Sequence, residues 1–504
     1  MREILSKNLL RHLKLLEILY REVGWVTLSN IATLLKCSER VLRNDIQLIN
    51  KDFKPFEIVT SQHGITLVYP SEYSISHIYQ RALSISPEFS FMEHIFFRET
   101  DDINSISEKL FISTSSLRRI IKKINTHLIQ YDIQIKNNPV SIVGSEENVR
   151  NFILHYIYEK YGISQPLFSE LQLETINEMI VYMAKDNSIS LDSQKIIRLR
   201  YLLIISIYRL KNKHVVNLNE KLFNNRNLNI LKNIPFSQRF KQVFQLDLNK
   251  QSLMQIFHFF LNNKYAYTYD QLEYILKENI DNSSVVIHDI KKLLSNISNK
   301  INIPIQNEKK IIMKLYNLQY RVNSPNFILN RNRKYFATHV SHEFIHFIFI
   351  LKEELQNFKY HKDFKWTPYF FNEVLYILIT HWENAFFELL NTIQLIKVGL
   401  FFDSDFEHSL FIKGMLNYQF NKFIETELID SLSLSSFKSS IKNYDFIITN
   451  ISGICDSEVP LLCINTIPIM KDFTAIQEKL LIMIKQKFQN HQYILSQNHD
   501  VNFS

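Results

Sequence analysis

Basic and amide side chains recur at helical spacing in two stretches of the chain: Arg40, Arg43, Asn44 and Gln47, then Ser115, Arg118, Arg119 and Lys122. Guanidinium and amide groups so placed can hydrogen-bond base edges in a DNA major groove, and ammonium groups neutralise phosphates. The plainer alternative is a solvated charged face on an ordinary helical hairpin. Histidines form the other chemically suggestive set. His342-Glu343-Phe344-Ile345-His346 is a literal H-E-x-x-H, which on one helix presents two zinc ligands and a general base. A peptidase needs a third ligand; Glu353, Glu354 and His361 are available by number, but the third histidine of the metzincin continuation is missing. The pattern therefore reads as a chance match in which Phe344, Ile345, Phe347 and Ile348 pack, and no metal or other cofactor is expected. His339, His342 and His346, at i, i+3 and i+7, suggest instead a regulatory cluster.

The basic residues gain meaning from an internal repeat. Leu28-Ser29-Asn30-Ile31 lies over Ile103-Asn104-Ser105-Ile106 at an offset of 75 residues, without a gap. Ile31 and Leu35 match Ile106 and Leu110 on a first helix; Leu42, Ile46 and Ile49 match Leu117, Ile121 and Ile124, spaced i, i+4, i+7, on a second. Ser38 and Ser113 stand where the second helix needs an N-cap, so each unit reads as a helix-turn-helix. Its second helix is the one that enters a major groove, and the basic and amide residues lie opposite its apolar stripe. A two-stranded wing follows each unit: Glu57–Thr60 with Ile65–Val68 around Ser61–Gly64, and Ile133–Ile135 with Val140–Val143 around Lys136–Pro139.

A chain of 504 residues exceeds one hydrophobic core, and domain sizes predict three to five domains. The net charge of +8 favours a polyanionic partner only weakly when spread over this length. With 7 Gly and 11 Pro, phosphate-cradling Gly loops are scarce and most of the chain should be helix. Strand signals are confined to Phe56–Tyr69, Ile133–Val143, Lys397–Phe402, Phe446–Thr449 and Pro460–Ile464, the last three in an alternating α/β end. Residues 150–395 read as two helical blocks with a break near Asn282–Ser284. Cys37, Cys455 and Cys463 form neither a disulfide framework nor a four-ligand zinc site, which fits a reducing cytosol. The N-terminal segment reads as an amphipathic helix, not a secretion signal, and the apolar runs fall short of the roughly 20 residues a bilayer needs. A soluble, cytoplasmic, non-enzymatic protein with no membrane partner is expected.

The repeat also carries a family resemblance. VTLSNIATLLKCSERVLRNDIQLIN resembles the opening domain of the Mga/AtxA-like virulence regulators of Gram-positive bacteria, and the second unit with VSIVGSEENVRNFILHYIYEKYG resembles their Mga-type helix-turn-helix. LRYLLIISIYRLKNKH and LYILITHWENAFFELL are similar to segments of their two phosphotransferase-regulated domains (PRDs). IKVGLFF and YDFIITNIS are similar to their terminal domain, itself like the B component (EIIB) of sugar enzymes II. The resemblance implies a transcription factor, usually an activator, that dimerises through its C-terminal portion and is tuned by histidine phosphorylation from the sugar phosphotransferase system.

Within that frame a phosphoacceptor needs a reachable imidazole nitrogen. His381, in Leu378-Ile379-Thr380-His381, fits the L-x-x-H core of such domains; in the first helical domain the matching position is Leu202, which leaves His214 as candidate. Asp403-Ser404-Asp405 follows the first strand of the terminal domain, where a phosphorylatable B component carries cysteine, so an assembly or sensing module is expected there.

The expectation is a mainly α, multidomain chain: a winged helix-turn-helix over 1–72, a second, Mga-type one over 73–160, helical PRD-like domains over 161–282 and 283–395, and an EIIB-like α/β domain over 396–504. The expected partners are promoter DNA, through Ser38 and the eight residues of the two basic faces, a second copy of the chain, and a phosphocarrier protein acting at His381 or His214. An RNA-binding antiterminator with the same sensors, which would need a small β-rich module at the N-terminus, and the zinc peptidase are the alternatives.

Overall fold

The computed structural model describes residues 1–22, 24–99, 101–162, 167–187, 193–218, 228–258, 265–278, 280–322, 327–357, 368–391, 395–420, 423–430, 437, 440–453, 459–480 and 482–483. The chain divides into two compact units: Met1–Ser283 with Asn317–Arg331, and Ser284–Tyr316 with Asn332–Ser504.

In the first unit the N-terminal amphipathic segment folds as α1 (Lys7–Leu19), whose first turn is capped by the Ser6 hydroxyl accepting from the Leu9 amide. Next come α2 (Leu28–Leu35), α3 (Glu39–Asp52) and a hairpin of β1 (Glu57–Ser61) and β2 (Gly64–Val68), paired antiparallel with Glu57 opposite Val68. Two helices that join the repeats, α4 (Ile75–Ile85) and α5 (Pro87–Phe97), lead into α6 (Ile103–Lys109), α7 (Thr114–Leu128) and a second hairpin, β3 (Ile133–Asn137) with β4 (Val140–Gly144). The long helices α8 (Glu146–Tyr161), α9 (Glu170–Asp186) and α10 (Ser193–Lys211) follow, with shorter ones beyond. Ile31, Leu42, Ile49, Ile106, Leu117 and Ile124 are fully buried in one continuous apolar core with Leu13 and Leu16 of α1.

A buried charge cluster ties β4 and α8 to α10. The fully buried Arg209 donates to both Glu146 oxygens, to the Ile142 carbonyl on β4 at 2.9 Å and to Glu99 at 2.7 Å. Arg150, also fully buried, donates to Glu146 at 2.8 Å and to the Gln255 carbonyl at 2.7 Å. Burial alone would raise the Glu146 carboxyl, but the two guanidiniums outweigh it and hold it below the usual range.

In the second unit the described residues before the terminal domain are helical, including Ser284–Ile301 of the helix Ser283–Ile301, then Asn332–Glu343, Ile345–Asn357, Pro368–His381 and Ala385–Asn391. The terminal part is α/β as expected: β5 (Ile396–Phe401), the helix Phe406–Phe420, β6 (Ile424–Leu428), β7 (Phe446–Thr449) and β8 (Leu461–Cys463). All are parallel, in the order β6-β5-β7-β8. Strand β6 lies outside the segments expected from sequence. Ile424-Glu425-Thr426-Glu427-Leu428 alternates charged and inward residues because it is an edge strand. Gly399 on central β5 is needed sterically, since a Cβ there would sit 2.6 Å from Ile429 and 2.8 Å from Ile447.

Because the fully buried Arg209 compensates both Glu146 and Glu99, Arg209→Met should leave Glu146 with Arg150 alone and Glu99 without its guanidinium, at a cost of roughly 3–5 kcal/mol. Amide hydrogen exchange checks this: α8 and α10 should lose protection together, and unchanged exchange would show that the cluster does not hold them.

Candidate nucleic-acid interface

The two helix-turn-helix units share the backbone hydrogen bonds of their turns, residue for residue. Thr27 caps α2 by accepting from the Asn30 amide at 3.3 Å, and Asp102 caps α6 by accepting from Asn104 and Ser105 at 2.7 and 2.9 Å. Each first helix ends on a left-handed residue, Lys36 with φ 52° and Phe111 with φ 54°. The amide that follows returns to the helix: Cys37 to the Ala32 carbonyl and Ile112 to the Ser107 carbonyl, both at 3.0 Å. Ser38 then accepts from Val41 and Ser113 from Ser116, the N-caps expected from sequence.

A third shared device was not apparent in the sequence. Asn50, near the end of α3, donates to the Ile58 carbonyl at 2.9 Å and accepts from the Ile58 amide at 2.7 Å. Asn125, near the end of α7, does the same to Ile135 at 3.1 and 2.7 Å. Each asparagine completes a backbone pair that a sheet neighbour would otherwise supply, fixing the wing to the helix. The wings depart from the 75-residue offset, because the second clamp spans two residues more than the first. Gly64 closes the first hairpin at φ 123° and Gly144 ends β4 opposite Ile133 at φ 128°, and a Cβ at either would collide with the Val26 or Asp132 carbonyl.

The inner faces of α3 and α7 are held differently. Asp45 on α3 accepts from Arg11 at 2.5 and 2.9 Å and lies 2.9 Å from His12 Nε2. Burial would raise this carboxyl, yet the hydrogen bonds from Arg11 and His12 hold it low. On α7, Lys123 donates to the Leu5 carbonyl at 2.7 Å and to Glu88 at 3.0 Å. With the inner faces engaged, Arg40, Arg43, Asn44 and Gln47 of α3 and Ser115, Arg118, Arg119 and Lys122 of α7 are all exposed, as is Ser38. Arg43 lies 3.8 Å from Glu39 one turn back, a contact between two solvated side chains that leaves the guanidinium available.

The histidines fall into three situations. His214 is half-buried with Nε2 2.7 Å from Glu99, so it belongs to the rim of the Arg209 cluster; Leu202 is half-buried on α10. His381 ends the helix Pro368–His381, half-buried, with its ring near Lys314, Lys310 and Arg333. Burial first and these cations second bring its pKa down to about 4, so the imidazole is neutral at pH 7. The Thr380 hydroxyl donates to the Tyr376 carbonyl at 2.6 Å, so its oxygen, 2.7 Å from Nδ1, accepts the Nδ1 proton and leaves the lone pair on Nε2. The H-E-x-x-H pattern does not lie on one helix. One helix ends at Glu343 and the next begins at Ile345, with the Phe344 amide donating to the Val340 carbonyl at 2.9 Å and the Ile348 amide to the Phe344 carbonyl at 3.0 Å. Phe344, Phe347 and Ile348 are buried as expected, while the side chains of His342, Glu343, Ile345 and His346, and all of His361, lie outside the described residues. Among the described residues no group of three His, Cys, Asp or Glu side chains could hold a metal ion. No described helix is long and apolar enough to cross a membrane. The N-terminal 72 residues form helices and one hairpin, not the β-rich module an antiterminator would need.

Three family models match the chain in order. The M protein trans-acting positive regulator (MGA) HTH domain matches residues 6–64, the Mga helix-turn-helix domain 71–157, and the M protein trans-acting positive regulator (MGA) PRD domain 172–385. A putative trans-acting regulator of Streptococcus pneumoniae is 26% identical over 461 residues, covering 89% of this chain and 93% of that one. The capsule synthesis positive regulator AcpB of Bacillus anthracis is 22% identical, covering 94% and 98%. The anthrax toxin expression trans-acting positive regulator of the same organism is 20% identical with the same coverage. Duplicated helix-turn-helix units with bare basic faces, followed by a PRD region, place this chain in the Mga/AtxA-like family of trans-acting positive regulators, as a DNA-binding transcription activator and not an enzyme.

Proposed function

We propose that α3 and α7 each enter a major groove of promoter DNA, with Arg40, Arg43, Arg118 and Arg119 reading guanines bidentately, and Asn44 and Gln47 reading adenines. Lys122, Ser38 and Ser115 meet phosphates; the capping hydroxyl of Ser38 accepts from Val41 and keeps its own proton for that purpose. The observation that supports this placement most is the shared register: both basic faces are exposed on helices whose caps, turns and wing clamps coincide. By analogy with relatives whose names refer to capsule and toxin expression, the regulated genes belong to virulence or surface functions.

The remaining modules complete the proposal. The five domains run 1–72, 73–160, 161–282, 283–395 and 396–504. His381 is the preferred phosphoacceptor for a phosphocarrier of the sugar phosphotransferase system: its Nε2 holds a lone pair, and Lys310, Lys314 and Arg333 supply countercharge for a phosphoryl group. His214 is the weaker candidate, since its Nε2 already faces Glu99. The parallel sheet supports an EIIB-like terminal domain. Asp403 and Asp405 occupy the loop after β5, Cys463 is exposed on β8, and Cys455 lies outside the described residues. That arrangement favours assembly of a cytoplasmic homodimer over a phosphocysteine relay.

Arg43→Ala and Arg118→Ala should each weaken binding to the chain's own upstream duplex by roughly 1–3 kcal/mol, with relaxed preference at one base pair. Lys122→Ala should weaken binding to all duplexes alike and reduce the salt slope by about one phosphate. Electrophoretic or fluorescence titration at several salt concentrations separates these outcomes, and unchanged binding by both arginine variants would refute the assignment. For His381, an NMR titration should place the ring midpoint near pH 4, well below a free histidine, with the neutral form persisting through pH 7. Incubation with phosphoenolpyruvate and the phosphotransfer proteins should add one acid-labile phosphate that His381→Ala removes.

A further inference from the structure

Phe111 has no structural reason to be phenylalanine. It is 96% exposed, more than any other large apolar side chain among the described residues. Its backbone is left-handed, at φ 54°, where glycine or asparagine is favoured and a bulky side chain is strained. The turn that carries it is locked on both sides: the Phe111 amide donates to the Glu108 carbonyl at 3.2 Å, the Ile112 amide to the Ser107 carbonyl at 3.0 Å, and the Ser107 hydroxyl to the Ile112 carbonyl. The backbone that carries the ring is therefore fixed at the tip, two residues before the Ser113 cap of α7 and four before Ser115. That is the end of a helix-turn-helix that lies closest to base edges. Lys36 occupies the same position of the first unit with the same backbone conformation, so one copy carries a cation and the other an aromatic ring.

We propose that Phe111 is a specificity-determining residue of the second unit, making an apolar contact to the 5-methyl group of a thymine in the major groove. The inference rests on the placement of α7 in that groove. Among base edges in the major groove, the thymine methyl is the apolar feature, and an aromatic side chain matches it where a lysine or serine would not. The surrounding Ser115, Arg118, Arg119 and Lys122 supply polar and cationic contacts only, so the ring adds a discrimination they lack. Lys36, by contrast, suits a phosphate, which carries no sequence information.

The test uses the full chain and a duplex selected by it from a random pool, with each thymine replaced in turn by deoxyuridine, which removes the methyl alone. At one or two positions the wild-type chain should bind about fourfold more weakly, the value of burying one methyl-sized group. Phe111→Asn should bind the parent duplex at about that weaker level and be indifferent to the replacement. The same variant should unfold at an equal or higher denaturant concentration, because asparagine tolerates the left-handed backbone. Wild-type indifference to every replacement overturns the proposal, as does a Phe111→Asn variant that is less stable than wild type. A variant that keeps full DNA affinity and methyl sensitivity but no longer activates transcription also overturns it, and assigns the ring to a protein contact. Arg118→Ala distinguishes the two levels of failure. If it loses affinity while Phe111→Asn does not, the groove placement stands and only the thymine contact falls; if neither changes, the placement itself is wrong.

Discussion

A helix that offers one face to a nucleic acid must be held entirely from the other. In each unit three apolar residues do this, Leu42, Ile46 and Ile49 or Leu117, Ile121 and Ile124, and they can anchor the helix but not fix its rotation and pitch. Orientation comes from directional bonds at its two ends. At the start, a left-handed residue and a serine cap set where the helix begins. At the far end, Asn50 or Asn125 grips both polar groups of a wing residue. A buried backbone pair left without its partner is costly, so this grip leaves little freedom for wing and helix to move separately. The exposed arginines inherit their geometry from these buried contacts.

The Arg209 cluster extends the same logic beyond the DNA-reading units. It joins the carbonyl of Ile142, on the wing of the second unit, to Glu146 at the start of α8 and to the end of α10 within the matched PRD region. A buried ion cluster contributes little net stability compared with an apolar core, since desolvation offsets much of the attraction. What it does supply is direction: guanidinium forks accept few alternative partners, so α10 can dock on β4 in one arrangement. His214, paired to Glu99 at the edge of this cluster, stands where a change in the helical domain meets the second reading unit.

Much of this was legible in the sequence. The i, i+4, i+7 stripes, the serine caps and the wing strands were all readable, because helix periodicity and N-cap chemistry depend on neighbours within one turn. The asparagine clamps were not: Asn50 and Asn125 keep the 75-residue offset, but their partners Ile58 and Ile135 lie across loops of different length, beyond the gapless match. The left-handed conformation of Lys36 and Phe111 was also hidden, as neither residue type signals it. Strand β6 was missed because its alternate residues are glutamates, which suit an edge but resemble a helix surface. The H-E-x-x-H pattern, read from sequence as a chance match, falls across the end of one helix at Glu343 and the start of the next at Ile345. Likewise the Arg209 cluster draws on residues from Glu99 to Gln255, a separation at which no local pattern operates.

The two reading units are copies in backbone and divergent in side chain, and the divergence is orderly. Positions that fix geometry are retained in kind: the caps, the left-handed turn, the apolar stripe and the clamp. On the outer faces Arg43 and Arg118 coincide, but the other positions differ, Lys36 against Phe111, Arg40 against Ser115, Asn44 against Arg119 and Gln47 against Lys122, and so do the inner anchors, Asp45 with Arg11 and His12 against Lys123 with Glu88. Different anchors allow each helix to be held without sharing a partner, so a substitution on one is not transmitted through a common contact to the other. Different outer faces mean that the two helices cannot present the same donors and acceptors to DNA. With both helices in grooves as proposed, a single chain carries two unlike readers on one scaffold, and the sequence that it selects is asymmetric.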